Sequence, residues 1–539
     1  MKQSIAVLGL CVATAWPTTS RAFCGFYVSG ADASLYNNAT MVVMMREGTR
    51  TVLSMQNNYQ GPPQDFAMIV PVPVVLQQDN VKTLPPQIFS RVDKLAAPRL
   101  VEYWEQDPCR PMVVYEMAAG APSARRMKSA VADEAKADYG VTIEAQFKVA
   151  EYEIVILSAK DSGGLDKWLR TNEYNIPKGA KEVLRPYVEQ NTKFFVAKVD
   201  AQKVKFQNGR AVLSPLRFHY DSPTFTLPVR LGLLNSAGEQ DLIVHILGKG
   251  QRYEVANYKN ASIPTNIVVE DSVRKSFGSF YDALFDRATE KNPGAVVTEY
   301  AWDATSCDPC PEPPLTPDEL ATLGGDVIVP VETDPYSDIP GVVPQRKQRP
   351  GWQPYGFVLT RLHYRYEKEG LGEDLVFRAA GPIVGGRGMP DQSGQLSERR
   401  AQASSVNNFQ GRYVILHRWE SPVACENPQR GVWGGPPDGG PTPRPFAAGN
   451  TAFEGITTKS LTDQLPALIE TDIPELDLYP GAVVPVLQSD PNPSKGQGGT
   501  TGDATTSDGC SVSAARSASL GWIALGIVAM WLTRRHTAQ

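Results

Sequence analysis

Ala39–Asn57 reads ATMVVMMREGTRTVLSMQN. Its two apolar halves, MVVMMR and TVLSMQ, flank Glu47-Gly48-Thr49. A glycine between two apolar runs supplies the turn geometry that other residues resist, so the stretch predicts a β-hairpin. The rest of the chain repeats the theme. VKFQ and RAVL are joined by Asn208-Gly209, the dipeptide best suited to a type I′ turn. DFAMIVPVP, Asp65–Pro73, is a nearly continuous apolar run that predicts a strand buried on both faces. Pro71 and Pro73 cannot donate to a ladder, which confines that strand to an edge or an end.

Further strands are expected over Val141–Ser158 (two of them), Thr224–Gly232, Asp241–Leu247, Gly356–Tyr366, Asp374–Ala379 and Tyr413–Trp419. Short helices are expected over Pro86–Ala96, around Leu165, Trp168 and Leu169, and over Ser272–Glu290, where Phe277, Phe280, Leu284 and Ala288 form one apolar stripe. The composition agrees: 44 prolines and 45 glycines favour many turns and short strands over long helices. The predicted class is α+β, mainly β, with antiparallel sheets and a few short helices.

The two ends predict where the chain works. Met1–Ala22 has a positive Lys2, an apolar run Ile5–Trp16 and small residues at Ser20 and Ala22, the three parts of a secretory signal. Ser517–Thr533 is apolar and is followed by Arg534 and Arg535. Seventeen helical residues span roughly 25 Å, a short but usable membrane crossing with its basic end in the cytoplasm. The low-complexity stretch before it cannot bury enough apolar surface to offset ordering, which predicts a flexible tether. Along the chain this gives a signal (1–22), a β-rich region (23–120), a charged linker or insertion (121–140), a central α+β region (141–327), a Pro-rich loop (328–350), a second β-rich region (351–489), the tether (490–516), the transmembrane helix (517–533) and a basic tail (534–539).

Charge excludes one class of partner. A net charge of −5, with no basic excess, argues against nucleic acid. Sequence motifs exclude several enzymes: there is no Gly-x-Ser-x-Gly, no His-Glu-x-x-His and no Walker lysine loop. Gly385-Gly386-Arg387-Gly388 lacks dinucleotide spacing and reads as a loop. Of the five histidines, His245, His363 and His417 lie in strand-like runs and read as structural; a site built from His219, His245 and His363 is geometrically possible but has no support in the spacing, and His536 is in the basic tail. No cofactor and no metal set is indicated.

Cysteine is the residue type with the sharpest chemical signal. Cys11 leaves with the signal; Cys24, Cys109, Cys307, Cys310, Cys425 and Cys510 remain. In an oxidising compartment they tend to pair. Cys307-Asp308-Pro309-Cys310 admits three readings: a small structural disulfide, a redox pair, or half of a metal site. Pro311, Pro313 and Pro314 forbid a helix starting at Cys310, and the next helix start is Thr316-Pro317-Asp318-Glu319. A redox thiolate would therefore lack the usual helix terminus, and a zinc site would lack a second closely spaced ligand pair. The structural disulfide is the preferred reading.

Two resemblances follow from these residues. Gly509-Cys510, the apolar Leu520–Leu532 and Arg534-Arg535 resemble a Myxo-type C-terminal sorting signal. That resemblance implies processing or lipidation at Cys510 and a sorting or processing protease as partner. Tyr59-Gln60-Gly61-Pro62, VPVP from Val70, LSPLRFHYDSPTF from Leu213, LPVRLGLLNSAGEQDLIVHIL from Leu227, WDATSCDPC from Trp302, VLTRLHYRY from Val358 and DLVFRAAGPIVGGR from Asp374 resemble the family catalogued as domain of unknown function 2330. It covers about Phe23–Trp433 and implies a secreted or surface-anchored bacterial protein. It supplies no activity and no catalytic residues.

Two functions are therefore weighed. One is a surface-anchored, non-catalytic protein that binds or organises an envelope or matrix protein or glycan, held to the membrane by its C-terminal helix. The other is an envelope thiol-disulfide or metal-dependent enzyme using Cys307 and Cys310.

Overall fold

The computed structural model describes residues 26–28, 39–56, 67–109, 140–328, 356–447 and 462–481, apart from positions 173, 175, 177, 178, 208, 209, 236–238 and 368–370. The signal, the tether, the expected membrane helix and the basic tail lie outside these residues, as do residues 121–139 of the linker, 329–350 of the Pro-rich loop, and Cys24, Cys510 and His536. No helix among the described residues is long and apolar enough to cross a membrane.

The hairpin is at the centre of the molecule. Ala39–Glu47 and Arg50–Met55 pair antiparallel up to Glu47↔Arg50, leaving Gly48-Thr49 as the loop. Gly48 has φ +54, the left-handed backbone that a glycine adopts without steric cost. On its other side Ala39–Glu47 pairs in parallel with Gln240–Lys249, which pairs antiparallel with Phe357–Tyr366. Ala295–Asp303 follows, and the sheet reaches eleven strands among the described residues. It is mixed rather than purely antiparallel, because the 39–47 strand runs the same way as the 240–249 strand.

Both faces of this sheet are buried, and the alternation of side chains sorts them. Val42, Met44, Leu53, Leu242, Val244, Leu362 and Tyr364 face a second, five-stranded sheet. Met41, Val43, Val52, Ile243, Leu247 and Leu359 face the helix Gln87–Ala96 and the turns that follow Thr316. The longer helix Phe277–Lys291 packs a third core with Val297, Ala301, Phe409 and Tyr413.

The five-stranded sheet contains Ala67–Val72 between Phe26–Val28 and Lys193–Val199, then Tyr152–Ala159 and Val141–Val149. Met68, Val70 and Val72 join the inter-sheet core while Ile69 points to the helices Ser162–Thr171 and Ala180–Glu189 on the outer side. So this strand is buried on both faces. It is not a terminal strand, but among the described residues the 26–28 ladder ends at Ile69, and Pro71 lies beyond it.

Other expectations are met closely. Lys205–Gln207 pairs with Arg210–Val212 across the Asn208-Gly209 connection. Thr316 caps the following helix: it accepts from the Glu319 amide at 3.2 Å, and its own amide donates to Glu319 Oε2 at 2.8 Å. The stripe expected over Ser272–Glu290 divides into a 3-10 turn at Asp271–Lys275 and the α-helix Phe277–Lys291.

One strand is corrected. Thr224–Gly232 is extended only at Thr226–Leu227 and then enters a 3-10 turn at Arg230–Asn235. Pro228 has no N–H for a ladder, and the next two amides, Val229 and Arg230, donate instead to Asp374 Oδ1 at 2.9 and 3.2 Å.

The regions 23–120, 141–327 and 351–489 contribute strands to the same sheets, and the described residues form one compact unit. Gly324 is where the turns after Thr316 press onto the hairpin. Its φ is +148, and a Cβ there would lie 2.8 Å from Val52 Cγ2. Gly324→Ala is expected to cost about 2 kcal/mol by overpacking and backbone strain. Gly381→Ala, with open space around it, is expected to be neutral. Urea unfolding midpoints of the two variants check this.

Candidate functional site

A dense cluster of charge lies inside the molecule. The strand Phe357–Tyr366 carries Arg361, His363 and Arg365 on one face, by its two-residue period. Glu299 meets them because of a β-bulge: Thr298 opposes Leu362, Tyr300 opposes Arg361, and Glu299 is the extra residue between. Its Oε2 accepts from Arg361 Nε at 2.5 Å, and Oε1 lies 2.8 Å from His363 Nδ1 and also accepts from Tyr281 Oη. Arg361 also pairs with Asp93 of the helix Gln87–Ala96. His363 Nε2 lies 3.2 Å from Asp241, which takes two bonds from Arg365 at 2.8 and 3.0 Å. Arg365 in turn reaches Asp286 of the helix Phe277–Lys291.

Asp93, Glu299, Arg361 and His363 are all at most 2% exposed, so the centre of the cluster is sealed from solvent, while Arg365 and Asp286 form its partly exposed edge. Four carboxylates, Asp93, Glu299, Asp241 and Asp286, surround Arg361, Arg365 and His363, whose two ring nitrogens both face acids. Burial opposes ionisation of Glu299, but His363 and Arg361 overcome it and hold the carboxyl down at about 2. Burial likewise works against the His363 cation, and Glu299 and Asp241 raise its pKa despite it. His245, fully buried with Arg361 beside it, is pushed down to about 3 and is neutral. Asp282 goes the other way: burial, then the Asp241 charge, push it up to about 7. The arrangement holds the sheet to two helices and has no opening for a reaction.

The histidines do not converge on a metal site. His219 is half-buried, with Nε2 3.2 Å from Asn80 Nδ2. His417 stacks on Trp104 and lies 2.7 Å from Glu102. No group of three metal-type ligands occurs among the described residues.

The cysteines pair. Cys307 and Cys310 form a disulfide with Cα atoms 5.1 Å apart, and Cys109 and Cys425 form another across a sequence separation of 316. The Cys307–Cys310 loop is tied down from below: Arg99 Nη1 donates to Pro309 O at 3.0 Å, and Gln410 Nε2 donates to Asp308 O at 2.7 Å. Both sulfur-bearing residues remain partly exposed.

A cleft of about 480 Å³ opens where the five-stranded sheet, the helix Ala180–Glu189 and the 375–380 strand meet. Tyr187, Gln190, Thr192, Thr224, Arg230 and Asp374 line it, with Pro71, Pro73 and Pro228 as apolar walls. Asp374 organises this wall: besides the Val229 and Arg230 amides, it accepts from Tyr187 Oη at 2.7 Å. Arg230 lies over the Tyr187 ring at 5.0 Å, with Nε 3.5 Å from Asp374 Oδ1. The cleft thus offers a fixed guanidinium, hydroxyls and an amide in one concave surface. A second cleft of about 530 Å³ lies around Arg399, Asp472 and Glu475.

The family model for an uncharacterized protein conserved in bacteria, domain of unknown function 2330, matches residues 18–378. The chain belongs to this family. No curated protein and no solved structure matches the chain. The 480 Å³ cleft and the Cys307–Cys310 loop fall inside the matched segment, whereas the second cleft draws on residues mostly beyond it. The fold itself runs past residue 378, since Arg412–His417 pairs with Arg99–Glu105 and Asn408–Gln410 with Ala295–Asp303.

Sequence reading singled out the cysteines but none of Asp93, Asp241, Glu299, Arg361 and Arg365. LTRLHYRY alternates charged with apolar residues, the pattern of a half-solvated strand. Only the equally unremarkable acids of distant segments turn that charged face inward.

Glu299→Gln is expected to destabilise the protein by about 3–5 kcal/mol, because Arg361 and His363 lose a buried counter-charge. The pH dependence has a defined sign. His363, with its pKa raised on folding, stabilises fully below about 6.5 and loses that contribution as pH rises through its folded value. Asp282 keeps its proton up to about 7 when folded, against 3.8 ordinarily, so stability falls between those values as pH rises. Asp282→Asn is expected to flatten the stability profile from pH 4 to 7, which urea titrations at stepped pH would register.

Proposed function

We propose that the protein is displayed outside the cytoplasmic membrane, anchored through its C-terminal segment, and binds a component of the envelope or matrix. The observation that carries this reading is the pairing of all four described cysteines into disulfides. Cytosolic proteins seldom keep such bonds, whereas exported ones do. The leader-like Met1–Ala22 and the Gly-Cys, apolar and Arg-Arg tail support the same location. The family match to a conserved bacterial protein is compatible with it.

The binding role rests on the 480 Å³ cleft. Its size suits a small molecule or the end of a larger one. Arg230 and Gln190 supply donors, the threonine hydroxyls both donate and accept, and Glu373 and Asp374 supply acceptors; the prolines give flat apolar contact. That mixture matches a hydroxyl-rich ligand, and an envelope glycan is the class of partner we favour. Nothing sealed in the ionic cluster offers chemistry to such a ligand, so the cleft's role is recognition.

Two measurements test the reading. Intact cells treated with a membrane-impermeant amine label should yield labelled protein; label only after lysis would place the protein inside and end the proposal. The full chain, probed on an array of bacterial envelope saccharides, should bind a subset, and Arg230→Ala should weaken that binding at least tenfold with the fold unchanged. No saccharide bound, or binding indifferent to Arg230→Ala, would remove the cleft from the account.

A further inference from the structure

Two arginines beneath the Cys307–Cys310 loop are buried without acids. Arg99 is 0% exposed and Arg412 2%. They stand directly opposite each other on paired parallel strands, in the register Arg412↔Arg99. Like charges so placed repel. Arg99 donates to Leu95 O at 2.7 Å, Ala97 O at 3.3 Å and Pro309 O at 3.0 Å, and its Nε has no partner. Arg412 donates to Asn266 Oδ1 at 2.8 Å, Tyr103 Oη at 3.1 Å and Gly388 O at 2.7 Å. Every acceptor is neutral. Neither guanidinium makes an ion pair among the described residues, unlike Arg361 and Arg365 a short distance away. Burial lowers the pKa of both, and each arginine stays charged at a cost.

The charges around the loop can be summed by element. Arg91 and Lys94 of the helix Gln87–Ala96 are paired with Glu319 and Glu312. Arg99 and Arg412 have no such partner: Asp308 and Glu398 act on Arg412 only at a distance, Glu398 is itself paired with Arg387, and Asp303 lies on the far side of Tyr300. Arg99 touches the carbonyl of the residue immediately before Cys310. Two guanidinium groups held without ion pairs beneath the loop favour an anion on sulfur.

We propose that Cys307–Cys310 is a thiol-disulfide exchange centre whose reduced form is stabilised by the buried pair Arg99 and Arg412. The co-reactant is an external dithiol in an oxidising compartment. Its thiolate attacks one sulfur of the Cys307–Cys310 bond, that bond breaks, and the other cysteine leaves as a thiolate. A mixed disulfide results. The co-reactant's second thiol, deprotonated, then displaces the first cysteine. Two electrons pass to Cys307–Cys310, the co-reactant leaves as a disulfide, and its two protons go to the released sulfurs or, where one stays a thiolate, to solvent. A helix terminus is not needed, because the arginine pair supplies the positive potential that the proline-rich sequence after Cys310 denies. This activity goes beyond the binding role and is independent of the cleft.

The test is a redox titration of the full chain in dithiothreitol buffers, with alkylation and peptide mass spectrometry of each cysteine. Cys307–Cys310 is expected to open at a more oxidising potential than Cys109–Cys425, beside which no such arginine pair lies among the described residues. The pH profile of alkylation should give a thiolate pKa below the usual value of about 8.5. Arg412→Gln should shift the exchange equilibrium about tenfold toward the disulfide, roughly 30 mV. Asp308→Asn, an exposed change that spares the fold, should shift it the opposite way and serves where Arg412→Gln does not fold. Cys307–Cys310 remaining closed after Cys109–Cys425 has opened would overturn the proposal, as would potentials unmoved by either substitution.

Discussion

The buried ionic cluster is arranged around a single bulged residue. Glu299 stands out of register in its strand, and because it does, one carboxylate reaches an arginine, a histidine and a tyrosine from two other elements. A buried carboxylate without partners would simply take up a proton or refuse to be buried. With Arg361 and His363 in place it is held ionised, and those two cations are then satisfied by Asp93 and Asp241. The consequence is positional. The helix Gln87–Ala96, the helix Phe277–Lys291 and the central sheet can each pack apolar surface in several ways, but few of them leave all these charges compensated. Such clusters often contribute little net stability, since an apolar replacement of equal shape does as well. We attribute to this one the setting of register between helices and sheet.

The legible part of the fold was the part built from local rules. The hairpin about Gly48, the strand pair on either side of Asn208-Gly209 and the Thr316 capping box each depend on residues within a few positions of one another, and each forms where the sequence places it. Strands with clear apolar runs, such as Asp241–Leu247, were equally readable. Failures arose where a distant group decided the outcome. Thr224–Gly232 has strand composition, but Asp374 takes two of its amides. Ala180–Glu189 carries Pro186 inside a helix, which sequence rules discourage, and packing of Leu184, Tyr187 and Val188 against the five-stranded sheet overrides them. Arg99–Glu105, a strand in the structure, begins with a fully buried arginine that no local pattern marks as interior.

The candidate chemistry was half legible for the same reason. Cys307 and Cys310 declare themselves by spacing. The groups that would govern them, Arg99 and Arg412, come from strands far away in sequence, and their meaning lies in what is missing beside them. Tyr187, Arg230 and Asp374 are likewise ordinary residues until three separate segments bring them to one cleft wall.

The same protein thus buries arginine in two contrasting ways. Arg361 is matched, nearly charge for charge, by acids that lie on other elements. Arg99 and Arg412 are given only neutral oxygens: the last carbonyls of a helix, a tyrosine hydroxyl, an asparagine amide and loop backbone. If the second arrangement served only to fasten a loop, either arginine could be exchanged for a neutral donor and the repulsion between them would be relieved. Retaining two cations face to face is explicable when the loop above them has an ionisable state. A disulfide has none, and the thiolate it yields on reduction has one. The proposed exchange centre gives this second arrangement a reason: the arginines would be placed for the thiolate that reduction of the loop yields.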